Sequence, residues 1–586
     1  KNDTGSSVLS RILVGQVERI ELVRGGAPGI DMQGFSVVAN VIIREQSSRQ
    51  TIVTGNAQLY DSGQDSFGGS LQFTASDGDR TWGFTLTDGF VDNDSSGIGP
   101  VLRLDALGNV LRSEIHFRDQ KAGDTSLRLN YADSFLGGRI DLTARYGVND
   151  FENLNLQTAP TVRRETVYEE EGASGEFGAV FTRALDSRVT SETRFIHEFD
   201  AEDSLSIGRA RVDGVASPEQ RFVNETETSE TILRSLVRYE HAPNLSFETG
   251  GEVAYNMLET QQALSRGGVP VVLPSASVTV EETRGEMFGK GVWRMRDNLS
   301  VESGVRVERS TISQSGDATM EKTFSFIKPR LMASWTPRAD SQFRLRFERE
   351  VGQLNFYDFA ASAQLQNDTV SGGNTNLSPE QRWVSELVYE RRFWGDGVIG
   401  VTLRHDEISD AIDVMPLPGG LSAKGNIGDG TLDRLAVNFQ APLDRFGFSG
   451  GRISAVNTWN HSEVTDPATG KTRPISNLRR SNATITLAQD IKSWNLQWNF
   501  AWSPLIGETN YDPNIHFSWR GHDYIEAWIE YKPSPTLSLR AHINLWDDFY
   551  QTRIAYADRA TQSINYIETR NIDPRTYYSL RLRKTF

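Results

Sequence analysis

Two glycine-rich segments have the spacing of catalytic motifs. Gly447–Gly451 has the Gly-x-Ser-x-Gly spacing of a nucleophile elbow, in which Ser449 would need a strand before it and a helix after it. An alternating strand pattern follows instead, so the segment is interpreted as a turn. Gly395–Gly400 has dinucleotide-binding spacing but leads into a strand at Val401, and it predicts a hairpin turn. The acidic run Glu169–Glu171 is expected to be a solvated loop, so no enzyme is predicted.

Metal-binding patterns are equally incomplete. Asp92–Gly97 begins like a calcium loop, with oxygen ligands at positions 1, 3 and 5 and glycine at position 6. Position 12 is Arg103 rather than a bidentate glutamate, which favours a solvated acidic loop over a cation site. The 8 histidines show no His-x-x-x-His spacing, and the 0 cysteines exclude thiolate-bound zinc, iron–sulfur clusters and disulfides. The sequence therefore predicts no metal site and no cofactor.

Composition narrows the class of protein further. The 586 residues carry 61 Lys+Arg against 77 Asp+Glu, a formal charge of −16, which disfavours nucleic-acid binding by bulk electrostatics. The mean hydropathy is negative, and no window approaches the roughly 18 consecutive apolar residues of a membrane-spanning helix. Aromatic residues make up 10% of the chain, and the apolar surface they supply argues against a disordered protein. Length alone would allow about three or four domains of roughly 100–200 residues.

Apolar residues alternate with polar ones in many short segments along the chain. Examples are Leu127-x-Leu129-x-Tyr131 and Phe343-x-Leu345-x-Phe347. Such alternation gives a strand one apolar face and one polar face. Two architectures satisfy it: a soluble sandwich or propeller that buries the apolar face, and a transmembrane barrel that turns it toward lipid.

Turn spacing and the last strand favour the transmembrane barrel. Tight turns such as Asp297–Asn298 alternate with long polar stretches such as Asp200–Thr231 and Phe359–Glu380, which are interpreted as loops of one elaborate rim. The chain ends in an alternating segment, Tyr577–Phe586, that closes on phenylalanine. At roughly 10 residues per strand, 22 strands use about 220 residues and leave acceptable loops. We predict an all-β fold: an antiparallel barrel of about 22 strands over residues 49–586, with a partial plug inside the lumen.

The first 48 residues have a different pattern. Two candidate strands, Val17–Val23 and Val37–Ile43, flank the glycine- and proline-rich turn Gly25–Gly29. The second is nearly continuously apolar, as expected of a strand packed inside protein. Residues 1–48 are therefore predicted to belong to a small globular unit and not to the barrel wall.

These residues carry a resemblance to a known family. The segment Val17-Glu18-Arg19-Ile20-Glu21-Leu22-Val23-Arg24-Gly25, then Gly34, then Asn40 within Ala39–Arg44, resembles the end of the plug domain of TonB-dependent outer-membrane receptors. The barrel adds Gly373–Glu380, which is similar to the family's Gly-Asn-Pro-x-Leu-x-Pro-Glu junction, and the terminal Phe586. The resemblance assigns residues 1–48 to the C-terminal part of a plug. We expect the TonB-contacting box and the first plug strands to lie outside this chain.

The resemblance implies an active-transport receptor in the outer membrane of a Gram-negative bacterium. TonB would be a partner through the residues outside this chain, lipid and lipopolysaccharide would surround the barrel, and no nucleic acid is involved. Family plug arginines pair with wall glutamates, so Arg19, Arg24 and Glu386 are expected to form a plug–barrel latch. Residues expected to contact ligand from the outer loops are Asn355, Tyr357, Asn374, Asn376, Arg473 and Tyr511.

The sequence is compatible with several substrates and with an alternative function. Ferric siderophores, glycans, cobalamin-like compounds and peptides all fit a receptor of this kind. The alternative is a passive outer-membrane channel, or a surface-binding scaffold barrel in an envelope complex. Uptake that depends on the proton-motive force distinguishes the receptor from the channel.

Overall fold

The computed structural model describes residues 17–24, 37–43, 48–60, 65–92, 96–273, 275–365, 369–504, 506–521, 523–546, 548–574 and 576–586. Within these residues the secondary structure is strand and short 3-10 turns, with no α-helix. The 3-10 turns are Phe356–Phe359, Pro418–Gly420, Asp444–Phe446 and Lys492–Trp494. None of the helices in the described part of the chain is long and apolar enough to span a bilayer.

The strands of the first half of the chain are β1 Val17–Arg24, β2 Val37–Ile43, β3 Ser48–Tyr60, β4 Asp65–Asp77, β5 Arg80–Asp92, β6 Gly97–Asp105, β7 Val110–Phe135, β8 Gly138–Ala159, β9 Val162–Ala184, β10 Val189–Val212, β11 Val215–Ala216, β12 Gln220–Ala242, β13 Leu245–Arg266, β14 Val269–Val271, β15 Ser277–Arg296 and β16 Leu299–Gly316. Those of the second half are β17 Met320–Arg338, β18 Ser341–Val351, β19 Ser362–Gln364, β20 Thr369–Ser371, β21 Gln381–Phe393, β22 Gly397–Ser409, β23 Ile412–Pro416, β24 Ser422–Asn426, β25 Gly430–Pro442, β26 Gly451–Thr465, β27 Thr472–Arg473, β28 Ser481–Ile491, β29 Leu496–Ser503, β30 Ile506–Tyr511, β31 Ile515–Gly521, β32 Tyr524–Ser534, β33 Leu537–Leu545, β34 Phe549–Asp558, β35 Ser563–Pro574 and β36 Tyr577–Thr585.

The large sheet closes into a barrel of 22 antiparallel strands, which confirms the predicted fold class and strand number. Its members in ring order are β3–β5, β7–β10, β12, β13, β15–β18, β21, β22, β25, β26, β28, β29, β32, β33 and β36. The last strand pairs with the first, from Ile52 opposite Thr585 to Tyr60 opposite Tyr577, so the ring has no open edge. The predicted final strand at Tyr577–Phe586 is therefore the closing strand of the barrel.

The two rims of the barrel differ as the turn spacing predicted. One rim has tight turns, such as the hairpin between β7 and β8, where Leu136 (φ 48°) and Gly137 (φ 74°) both take the left-handed conformation of a two-residue turn. The other rim carries the long loops 352–380, 410–429, 466–480, 504–523 and 546–576. Long loops on one side and tight turns on the other are typical of outer-membrane barrels, whose long loops face outward.

The outer surface of the wall is apolar near the tight-turn rim. Leu127, Leu129 and Tyr131 of β7 are exposed, whereas Arg128 and Asn130 between them point to the lumen side and are half-buried. The same alternation leaves Trp293 and Trp335 exposed close to their turns, as expected of an aromatic girdle at a membrane interface. The polar and apolar faces of the strands thus take the positions that a lipid-embedded barrel requires.

The interpretation of Asp200–Thr231 as a long loop is wrong. β10 continues to Val212 and β12 begins at Gln220, and the two strands pair without interruption from Val189 opposite Tyr239 to Gly208 opposite Gln220. The run Glu169–Glu171, also expected in a loop, lies within β9. These strands project beyond the membrane, where both faces can be polar, so the hydrogen-bonded ladder continues while the hydropathy alternation ends.

The predicted loop Phe359–Glu380 is a loop, and it folds into the barrel mouth. Phe359 and Leu377 pack in one buried cluster with Leu258, Val280 and Ile312, which point inward from β13, β15 and β16. Loop 352–380 and loop 410–429 together form a four-stranded sheet in the order β19-β20-β24-β23. We call these two segments the mouth loops.

Strands β1 and β2 form a separate antiparallel pair, from Val17 opposite Ile43 to Arg24 opposite Val37. The predicted strands Val17–Val23 and Val37–Ile43 are therefore present as a hairpin. The assignment of residues 1–48 to a plug domain remains a prediction.

Candidate functional site

The candidate ligand site lies between the mouth loops and the inner face of the projecting strands. Two cavities occupy this space, one of about 360 Å³ and one of about 560 Å³. Both are within the size range of small-molecule sites. Tyr357, on the 3-10 turn Phe356–Phe359, lines both cavities, and Asn355 begins that turn by accepting a hydrogen bond from the Tyr357 N–H at 3.1 Å. Two of the predicted ligand-loop residues, Asn355 and Tyr357, thus lie at the site.

Asn374 and Asn376 hold the mouth loops together. The Asn374 side-chain amide donates to the Lys424 carbonyl of β24 at 2.9 Å, and its oxygen accepts from the Asn376 N–H at 2.9 Å. Asn374 is buried, and these hydrogen bonds within the mouth loops satisfy its side-chain amide. A ligand contact by these two residues remains a prediction.

Arg473 and Tyr511, predicted to contact ligand, belong to a buried ionic brace in this structure. Arg473 contacts Asp413 of loop 410–429 at 2.7 Å and Asp466 at 2.8 Å. Its guanidinium lies 5.0 Å from the centre of the Tyr511 ring, a cation–π distance. Burial acts to raise the pKa of Asp413, but the charge and hydrogen bonds of Arg473 and a hydrogen bond from Ser476 outweigh it and lower that pKa. The brace joins loop 410–429 to loop 466–480.

Further contacts tie loop 410–429 to the other outer loops. Ser422 donates a hydrogen bond to Asp512, and the Asn514 side chain donates to the Gly420 carbonyl at 3.1 Å. Arg559 donates to the carbonyls of Leu417 and Leu421, each at 3.4 Å. The inward position of the mouth loops is therefore fixed from several sides.

A second buried ionic cluster lies in the outer part of the wall, and no motif in the sequence indicated it. Glu568 of β35 is 0% exposed and lies 2.6 Å from Arg103 of β6 and 2.8 Å from Arg570. Arg553 and Arg112 approach it at 3.7 Å and 3.8 Å. Although burial acts to raise the pKa of Glu568, the surrounding arginines lower it to about 2. These strands pair beyond the end of β5, outside the membrane-crossing part of the wall.

The predicted latch residues lie in separate contacts. Glu386 of β21 contacts Arg346 of the neighbouring β18 at 3.3 Å. Arg19 contacts Glu18 at 2.6 Å and Glu21 at 2.7 Å within its own hairpin. The side chains of Arg24 and Asn40, together with Gly25 and Gly34, lie outside the described residues. The pairing of plug arginines with Glu386 remains a prediction.

A closed 22-strand barrel with an apolar outer belt and two unequal rims is an outer-membrane β-barrel. The family model for the TonB-dependent receptor-like β-barrel matches residues 53–545, and the chain belongs to this family. Its members are receptors and transporters of the outer membrane and not enzymes, which confirms the predicted class and location. No curated protein sequence matches the chain.

Solved structures of the same fold cover nearly the whole chain. The ferric yersiniabactin uptake receptor FyuA from Yersinia pestis has a TM-score of 0.64 at 12% identity, over 97% of this chain and 85% of that one. The siderophore receptor PiuA from Acinetobacter baumannii has a TM-score of 0.61 at 11% identity, over 97% and 86%. The copper transporter OprC has a TM-score of 0.62 at 9% identity, over 98% and 87%. At these identities the likeness establishes the fold.

Proposed function

We propose that the protein imports a small extracellular ligand across the outer membrane by active transport, with energy supplied through TonB. The observation that carries the proposal is the pair of ligand-sized cavities under inward-folded outer loops, in a barrel of the TonB-dependent receptor family. FyuA is an uptake receptor for ferric yersiniabactin, PiuA a siderophore receptor and OprC a copper transporter, which supports a small ligand over a macromolecular one. In this protein, the mouth loops and the plug would bind the imported ligand.

The proposal includes the plug and its partner. Residues 1–48 would form the C-terminal part of a plug domain, residues 49–586 the barrel, and TonB would be the partner that supplies the energy. The β1–β2 hairpin supports a small folded unit there. Lipid and lipopolysaccharide would contact the apolar outer belt.

A conductance measurement separates a plugged receptor from a passive channel. Full-length receptor reconstituted in planar lipid bilayers is expected to show no steady open-pore conductance, because plug and mouth loops would fill the lumen. A variant without the complete plug domain is the control and is expected to conduct. Steady conductance of the intact protein, equal to that of the plugless variant, would support the passive channel instead.

The predicted pairing of plug arginines with Glu386 of the barrel wall can be tested separately. Charge reversal at the wall position, Glu386→Lys, is expected to loosen the plug, because a plug arginine would then face a like charge. Protease cleavage of the plug in purified full-length receptor should become several-fold faster. Glu407→Lys, at an exposed position of β22, makes the same charge change and should leave the rate unchanged. Unchanged plug retention in Glu386→Lys would rule out the pairing.

A further inference from the structure

The two cavities are lined by the same neighbouring strands of the wall and share Tyr357. The smaller is lined by β8–β10, β12, β13, β15 and residues 353–357. The larger is lined by β8–β10, β12, β13, Lys424 of β24 and residues 357, 358, 360–363, 365, 371 and 372. Tyr357 stands between them, so one elongated ligand can reach both. Within the described residues the cavities are bounded by inward-pointing side chains of the projecting strands.

The uncharged part of the lining suits a ligand that donates hydrogen bonds. The larger cavity has the aromatic rings of Phe151, Tyr168 and Phe222 beside the amides of Asn153, Asn224 and Gln262. Among the described residues, Gln262 Oε1 in the larger cavity and Asn256 Oδ1 in the smaller one have no hydrogen-bond partner. Both atoms are acceptors, and a buried acceptor without a donor is costly. A ligand with N–H or O–H groups would satisfy them.

The charged part of the lining is strongly acidic. The two cavities are lined by the carboxylates of Glu176, Glu198, Asp200, Glu202, Glu230, Glu282 and Asp358. The basic groups in the lining are those of Arg145 and Lys424. Arg145 stands directly opposite Glu176 in the β8–β9 register, and the Lys424 ammonium lies 3.9 Å from the Asp413 carboxylate. The positive charges are therefore already close to acidic partners, and the net charge of the lining is negative.

The carboxylates crowd one another in the outer, non-membrane part of β10. Burial raises the pKa of Glu202, and the neighbouring Glu170 and Asp200 raise it further. Burial and the same three carboxylates also raise the pKa of the Tyr357 hydroxyl. A negative potential of this kind repels an anion and attracts a cation.

We propose that these cavities bind an organic cation that carries several hydrogen-bond donors, such as an amine- or guanidinium-bearing small molecule, and not an anionic metal chelate. The proposal rests on the proposed receptor function and specifies the class of its ligand. Aromatic rings of Tyr168, Phe222 and Tyr357 give a cation favourable ring faces. No group of three or more side chains suited to hold a metal ion occurs in the described residues, which favours an organic cation over a bare metal.

Three tripeptides of equal length test the sign of the charge directly. Trilysine, its Nε-acetylated counterpart and triglutamate are titrated by calorimetry into purified full-length receptor at neutral pH and low salt. Lysine ammonium groups, with a pKa of about 10.4, stay charged under these conditions. Trilysine is expected to bind at least ten-fold more tightly than acetylated trilysine, and triglutamate should show no saturable binding. Equal or tighter binding of the acetylated or acidic peptide would overturn the proposal, as would a failure of trilysine to bind.

Matched charge variants test whether trilysine binds in the cavities. The double change Glu202→Gln with Asp358→Asn should weaken trilysine binding at least ten-fold. The control, Glu227→Gln with Glu259→Gln, removes the same charge from an exposed cross-strand pair on the outer face of β12 and β13, and should leave it unchanged. Equal weakening by both would contradict a cavity site. Trilysine binding with TonB-independent uptake would defeat the proposed function and leave this inference standing.

Discussion

Replacing Arg473 by alanine is expected to release loop 410–429 from its inward position. The change leaves Asp413 and Asp466 as buried carboxylates without their shared cation. Breaking a buried ion pair in this way costs about 3–5 kcal/mol, because the remaining charge stays desolvated. Hydrogen exchange of β23, Ile412–Pro416, should therefore accelerate by about 100-fold or more, since each ~1.4 kcal/mol is a factor of ten.

Arg209 provides the control for this prediction. It forms ion pairs with Glu219 at 2.8 Å and Glu165 at 3.6 Å on the exposed outer part of the wall. Solvent screens these pairs, so Arg209→Ala should leave the exchange of β23 as it is. If Arg473→Ala were as harmless as Arg209→Ala, the brace would not hold the mouth loop.

Replacing Glu568 by glutamine should loosen the outer sheet made by β6, β34 and β35. Glutamine keeps the shape of the side chain but removes the negative charge that Arg103, Arg570, Arg553 and Arg112 share. Arg103, Arg553 and Arg570 would then face one another with little solvent access, whereas Arg112 keeps Glu114 at 2.7 Å, and we expect a loss of about 3–5 kcal/mol in local stability. Amide exchange along Ser563–Pro574 measures it.

The matching control for Glu568 is Glu219→Gln, which removes a carboxylate from a half-exposed pair with Arg209. It should not alter exchange in β35. Full protection of β35 in Glu568→Gln, or an equal loss of protection in the control, would show that the cluster does not stabilise this sheet.

The membrane-crossing part of the fold could be predicted from the sequence because lipid imposes a pattern on it. Leu127, Leu129 and Tyr131 face lipid while Arg128 and Asn130 face the lumen, and this contrast is written directly in the order of residues. Asp200–Thr231 lacks the contrast because water lies on both sides of strands that extend beyond the bilayer. Its strand structure rests on backbone pairing between β10 and β12, which leaves no hydropathy signal.

Only part of the candidate site could be predicted from the sequence, because contacts between distant segments leave no local pattern. The stretch that begins at Asn355 is predicted to face ligand because it mixes aromatic with polar residues. Asn355 and Tyr357 line the cavities, and their contact with a ligand remains a prediction. The Arg103–Glu568 contact joins residues 465 positions apart, a separation that no local motif encodes. Arg473 was identified as a loop arginine free to meet ligand, but loop packing gave it two carboxylate partners.

Active, TonB-dependent import is measured most directly by receptor-dependent clearance of a compound from the medium. Cells with and without the receptor, in TonB-containing and TonB-deficient backgrounds, are compared by mass spectrometry of the spent medium. We predict that at least one small molecule disappears only when receptor and TonB are both present, and that a protonophore slows its loss at least ten-fold. Receptor-dependent loss that continues at the same rate without TonB and with the protonophore would contradict active, TonB-dependent import.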